Sequence, residues 1–362
     1  MIRLILISNI FLILFASCRK NQSIVHKADV IEYLNPKAIQ AKISRINSEI
    51  SFWENKLISD TGSFVYMKEL AGLHLQLFRL TGRVESLVKC DSLMHLSSAK
   101  LKHSDPELLF NLVQYNIMQH RFKQAAFNID SAEKRQGDKY ALRLLQFDVY
   151  MELGRYSDAY QFLKSISNHS SFDYLIRKSK WEDYKGNLEG SIRLMEEALI
   201  NVKGKNTNLY CWALSNLGDL YGHAGRINDA YAAYLDVLKL DPSDVYCLKG
   251  IARIAYVNDK NNSLAKQILF FIQEQCSFPD INLLLAEIAE TENNSNEVKM
   301  HLDNFLTEVS RHGYGIMYNK YLIEILSESD STAKQALNLA QLELKNRFTP
   351  ETSDWVAWAY FN

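Results

Sequence analysis

The chain has 362 residues, 47% hydrophobic and 23% charged, with only 14 Gly and 5 Pro. That length exceeds what one compact core usually fills, and few helix breakers among many Leu, Ala, Lys and Glu favour helix throughout. Lys plus Arg is 41 against 42 Asp plus Glu, and the balance excludes a strongly basic nucleic-acid footprint.

Residues 1–17, MIRLILISNIFLILFAS, open with Arg3 and continue as an apolar run broken only by Ser8 and Asn9. Small residues then precede Cys18. This is the layout of a secretory signal, too short for a membrane span of about 20 apolar residues. The Phe-Ala-Ser-Cys ending resembles a bacterial lipobox, although Phe15 stands where Leu is commonest. The resemblance implies that Cys18 is acylated and becomes the first residue of the mature chain. Residues 18–35 continue after Cys18 as RKNQSIVHKADV, polar and unpatterned, and are expected to form a tether. They lack the acidic run that resembles surface-export signals, which favours an outer-membrane anchor facing the periplasm. Cys90, Cys211, Cys247 and Cys276 form no CxxC and match no zinc spacing. Buried apolar filler or a single disulfide both remain open for them.

Residues 36–60 carry Ile39, Ile43, Ile46, Ile50, Trp53 and Leu57 at spacings of three and four. That pattern predicts an amphipathic N-terminal cap helix. From residue 64 to 362 a repeat takes over. Its clearest unit starts at Cys211, with Leu217, Gly218, Tyr221, Gly225, Ala230, Tyr234 and Pro242 at positions 7, 8, 11, 15, 20, 24 and 32. Small residues at 8 and 20 let helices approach, large ones fill the gaps, Gly at 15 turns the chain, and Pro at 32 ends the second helix. Related turns begin TGRVESL at 81, QHRFKQA at 119, LGRYSDA at 153, KGNLEGS at 185, NDKNNSLA at 258 and ENNSNEV at 292. A shorter form, SDSTAKQA, begins at 329. Unit starts fall near 68, 106, 140, 172, 211, 245, 279, 317 and 351, and four of the eight intervals equal 34.

The unit resembles the tetratricopeptide (TPR) consensus, with Leu214 where Trp is usual and Val237 where Ala is usual. The stretches KWEDYKGNLEGSIRLMEEAL, LKGIARIAY, HGYGIMYNKYLIEIL and KNRFTPETSDWVAWAYFN resemble TPR lipoproteins of the Bacteroidetes type. The expected fold is an all-α, right-handed solenoid of about eight helix-turn-helix units, with an N-terminal cap helix and an unpaired C-terminal helix. The last segment, SDWVAWAYFN, looks like the first helix of a ninth pair. Either Trp355, Trp358 and Phe361 pack backward, or an apolar end supports self-association.

There is no HExxH, GxSxG, Walker loop or strand-linked GxGxxG. No enzyme, cofactor or metal is expected. His74, His95 and His103 have no ligand spacing on one helix face. Binding residues are expected where TPR first helices commonly meet ligand. Those positions give Asn111 and Gln114; Arg177 and Lys180; Trp212, Asn216 and Asp219; and Tyr246, Lys249, Arg253 and Tyr256. Cations beside amides and rings suit an extended peptide. The TPR carboxylate-clamp pattern is present only in pieces, because Arg253 stands where Asn would follow Lys249. The leading expectation is a lipid-anchored scaffold of the bacterial envelope that binds a protein or peptide. The alternatives are an accessory binding protein of a glycan or nutrient uptake system, and an unrecognised enzyme.

Overall fold

The structure is a computed structural model that describes residues 23–102, 104–311 and 313–361. The expected signal peptide, Cys18 and His103 lie outside the described residues.

Helix α1 (Pro36–Ser59) precedes eight antiparallel pairs. They are α2 (Phe64–Thr81) with α3 (Val84–Lys100), α4 (Pro106–Met118) with α5 (Phe122–Lys134), and α6 (Lys139–Glu152) with α7 (Tyr156–Lys164). Next come α8 (Phe172–Tyr184) with α9 (Leu188–Val202), α10 (Thr207–His223) with α11 (Ile227–Leu240), and α12 (Val245–Val257) with α13 (Asn262–Gln275). The last are α14 (Asp280–Thr291) with α15 (Ser295–Val309), and α16 (Asn319–Ser327) with α17 (Ala333–Asn346). Helix α18 (Pro350–Phe361) follows without a partner of its own, and no strand occurs among the described residues.

Local chemistry sets these boundaries. Side chains of Asp105, Asp138, Ser171, Asn206 and Asp244 accept backbone N–H groups at the starts of α4, α6, α8, α10 and α12. At the turns inside seven of the pairs, one residue takes the left-handed conformation: Gly82, His120, Gly154, Gly186, Gly225, Lys260 and Asn293. That residue reverses the chain. In five of these turns the next N–H bonds back five residues: Arg121 to Asn116, Arg155 to Tyr150, Asn187 to Glu182, Arg226 to Tyr221, and Asn294 to Ala289. The glycine expected at position 15 is therefore a left-handed position that non-glycine residues also fill.

Close packing explains positions 8 and 24. The Tyr234 ring lies between Gly218 of α10 and Gly250 of α12, and a Cβ at either glycine would come within 2.7–2.8 Å of the ring. At position 20, Ala125, Ala159, Ser191, Ala230 and Ala336 are all fully or almost fully buried. A continuous core runs through pairs four to seven and takes in α1 and α2. The last pair and α18 have a separate small core around Ile323, Ala336, Ala340 and Trp355.

Two findings go beyond the repeat. First, the expected tether over 18–35 is, from residue 23 on, part of the fold. Val25, Val30 and Tyr33 are buried, and the Asp259 carboxylate accepts the N–H groups of Ile24 and Val25 at 3.0 and 2.8 Å. Three isolated apolar residues carry no period, so the sequence pattern does not show this docking. Helix α1 lies on α2 and also reaches pairs five and six. Lys42 pairs with Asp241 at 2.5 Å, and Gln40 donates to Gln275 at 2.9 Å.

Second, the solenoid closes on itself. The Ser277 N–H donates to the Thr81 carbonyl at 2.6 Å, and Gly313 lies against Val84 and Val88. Asn346 donates to the His120 carbonyl at 3.3 Å, and Gly154 leaves room for the Phe348 carbonyl. The turns of pairs one to three thus rest on the loops that follow pairs six to eight. All four cysteines in the described residues are free and buried, so the single disulfide does not form. At the C-terminal end Trp355 is 8% exposed, whereas Trp358 is 52% and Phe361 89% exposed. Of the three rings, only Trp355 is buried.

Candidate partner groove

The first helices of pairs five to eight line a groove of about 750 Å³. α10 contributes Asp219, α12 contributes Tyr246, Lys249 and Arg253, α14 contributes Asp280 and Glu287, and α16 contributes Tyr321. The groove exists because residues at the exposed positions of successive first helices fall on one side of the stack, with Gly222 and Gly250 keeping its floor low.

Its charges are unevenly engaged. Asp219 accepts the hydroxyls of Tyr234 at 2.6 Å and Tyr246 at 2.5 Å. Burial, and then the Asp219 carboxylate, push both phenols well above their ordinary range. Lys249 is tied to Asp280 at 2.5 Å. Arg253 is exposed and makes no hydrogen bond or ion pair within the described residues. The Glu287 carboxylate is likewise unbonded; burial raises its pKa, Arg253 opposes the rise and Glu290 adds to it. The groove therefore presents an open cation and an open carboxylate between tyrosine rings. A ligand can complete their hydrogen bonds without breaking internal ones.

Among the described residues, burial raises the pKa of every thiol and activates none for nucleophilic chemistry. Burial pushes Cys90 up to about 12 and Cys276 up to about 11, opposite to a reactive cysteine.

Of the residues expected from the sequence, Asp219, Tyr246, Lys249 and Arg253 come together here. Tyr256 lies on the same helix and donates to the Glu287 carbonyl at 3.2 Å. Trp212, 46% exposed, meets Phe172 edge-on, and Asn216 bonds the Trp212 carbonyl. Arg177 and Lys180 lie outside the groove lining and are already paired. Arg177 is bound to Asp148 at 2.6 Å and to the Leu144 carbonyl, and Lys180 to Glu152 at 2.7 Å. Both are struts between α6 and α8. Asn111 and Gln114 sit on α4, outside the groove lining. Lys249 cannot act as a free carboxylate clamp while Asp280 holds it.

Asp280, Glu287 and Tyr321 were not expected. They occupy positions 2, 9 and 5 of the units starting at 279 and 317. The same positional rule, extended to those two units, finds them.

No family model and no curated protein matches the sequence. Solved structures do. The human IFIT1 dimer with PPP-AAAA aligns with a TM-score of 0.52 at 12% identity, covering 83% of this chain and 72% of that one. A tetratricopeptide repeat protein from Parabacteroides merdae gives 0.42 at 12% identity, over 81% and 98%. The Cut9-Hcn1 hetero-tetramer of the APC/C gives 0.48 at 17% identity over 70% of this chain, which spans only 46% of that one. At such identities the likeness concerns the fold. With the eight turn-linked pairs, the IFIT1 likeness shows the described residues to be an all-α solenoid.

Proposed function

We propose that this protein is a lipid-anchored interaction scaffold of the bacterial envelope, and that it holds an extended polypeptide segment in the α10–α12–α14–α16 groove. The observation that carries the reading is the unengaged pair, Arg253 and Glu287, between Tyr246 and Tyr321 in one groove. Arg253 would take a carboxylate of the ligand and Glu287 a backbone or side-chain donor. The membrane part rests on residues 1–18, and no helix among the described residues is long and apolar enough to cross a membrane.

The test is site-specific photocrosslinking in cells. A photoreactive phenylalanine at Tyr246, inside the groove, should capture one partner. The same group at Phe127, which is 63% exposed and outside the groove lining, should not. Arg253→Glu should reduce capture from position 246 at least several-fold while the protein stays folded. Equal capture from both positions, or no effect of Arg253→Glu, would remove the groove from the reading.

A second reading, an accessory glycan binder, draws on exposed Trp212 and Tyr246, rings on neighbouring first helices. Competition by soluble oligosaccharides against the crosslink at position 246 would favour it.

A further inference from the structure

The described chain begins as a pinned segment. Asp259, in the turn between α12 and α13, accepts the Ser23 hydroxyl at 3.0 Å as well as the N–H groups of Ile24 and Val25. Tyr231 accepts the His26 N–H at 3.3 Å and donates to Asp29 at 3.2 Å. Val25 and Val30 are 2% and 0% exposed. Ser23 therefore leaves the fold at a fixed place.

Cys18 is five residues before Ser23. At 3.3–3.6 Å per residue, that stretch reaches about 18 Å at most. A lipid at Cys18 would thus hold the α12–α13 turn close to the bilayer. The α14–α15 turn lies beside it: Asn262 donates to Thr291 and Glu292, each at 3.2 Å. On its other side is the α10–α11 turn.

The surface of these turns suits headgroups more than hydrocarbon. Asn258, Lys260, Asn261 and Asn293 are exposed, and Val257 is the large apolar side chain among them. The groove reaches this same end of the stack, where His223, Val257 and Asn258 belong to its lining.

We propose that the solenoid stands on a phospholipid surface by the rim of the α10–α11, α12–α13 and α14–α15 turns, so that one end of the groove opens at headgroup level. The groove then takes a segment presented by a membrane-bound partner close to the bilayer. This inference rests on the anchor and groove readings given above. It adds an orientation that neither of them contains.

The test separates orientation from anchoring. Residues 18–362 are coupled through Cys18 to a maleimide phospholipid in vesicles of phosphatidylcholine and phosphatidylglycerol; the four other cysteines are buried, so coupling is selective. A fluorophore on an introduced azido residue is placed at Asn293, on the rim, or at Gln136, an exposed residue in the loop between α5 and α6. Energy transfer to an acceptor lipid should be several-fold higher from 293 than from 136. Asp259→Ala, which frees the pinned segment, should shrink that difference. Equal transfer from both positions, or a difference that Asp259→Ala leaves unchanged, would overturn the orientation. In cells, radiolabelled palmitate should enter the wild-type protein and not Cys18→Ala. Failure of that labelling would overturn the anchor, whatever the vesicles show.

Discussion

Pairs five and six and the C-terminal module, α16 to α18, are built from one repeat but held in different ways. In pairs five and six the units start 34 residues apart, Gly218 and Gly250 flank the Tyr234 ring, and the core is continuous with its neighbours. Between the units at 279 and 317 the interval is 38, and α15 barely touches α16. A cleft of about 510 Å³ opens there, lined by Val298, Leu302, Leu306 and Ile325 among others. The C-terminal module is instead held to distant turns. The Arg347 guanidinium lies over Phe122 at 5.3 Å and Trp355 at 5.1 Å, with Glu152, Glu343 and Glu351 within 4 Å. Pairs five and six are held by nearest-neighbour packing; at the junction between the units at 279 and 317, a charged clasp between remote segments holds the chain instead.

The sharpest way to break that contrast is Arg347→Ala. The side chain is only 10% exposed, and its loss leaves the buried Glu343 carboxylate without its cation, whereas Glu152 keeps Lys180 and Glu351 keeps Lys320. Truncating one partner of such a buried group costs about 3–5 kcal/mol. Small-angle scattering should show a larger radius as the C-terminal module swings away, while hydrogen exchange in α10–α13 stays protected. Loss of protection in both regions at once would mean that the two are not separate.

Gly218→Val probes the other side. It drives a branched side chain into the Tyr234 ring, and overpacking of this kind costs about 1–3 kcal/mol. Thermal unfolding should then lose stability first in pairs five and six, with the Arg347 clasp intact.

A pH scan should affect the clasp more than the regular pairs. Burial first, and then Arg347, pull His120 below its ordinary 6.5. The unfolded chain takes up that proton at a pH where the folded chain does not. Stability is therefore full above 6.5 and declines as pH falls below it. Burial lowers His74 and His301 in the same direction, so part of the slope belongs to them. His120→Asn keeps a residue that tolerates φ 58° and should flatten the remainder of the slope. An unchanged slope would exclude His120 as a contributor.

The smallest effect is expected from Arg253→Ala. Its side chain bonds nothing within the described residues, so stability should change by less than about 0.5 kcal/mol. Partner capture should fall, which separates the groove from both structural regions.

Much of this was legible in order along the chain. The turn sequences placed seven of the eight pairs through one left-handed residue, supplied by Gly, His, Lys or Asn. The groove was half legible. Asp219, Tyr246, Lys249 and Arg253 follow from position in the unit, whereas Arg177 and Lys180 have the same position and sign but are consumed by Asp148 and Glu152. Position in a repeat tells which way a side chain points; it does not tell whether a neighbouring helix offers it a counter-charge.

The sequence by itself determined the repeat, the helix boundaries and the helical pairing, because these depend on spacing, caps and turn residues within about forty positions. Only the tertiary structure decided that residues 23–33 dock against Asp259 and Tyr231, that the turns of pairs one to three rest on the loops after pairs six to eight, and that Arg253 and Glu287 remain open. Those contacts join residues about two hundred apart or depend on what a partner helix leaves unpaired, and no local period records them.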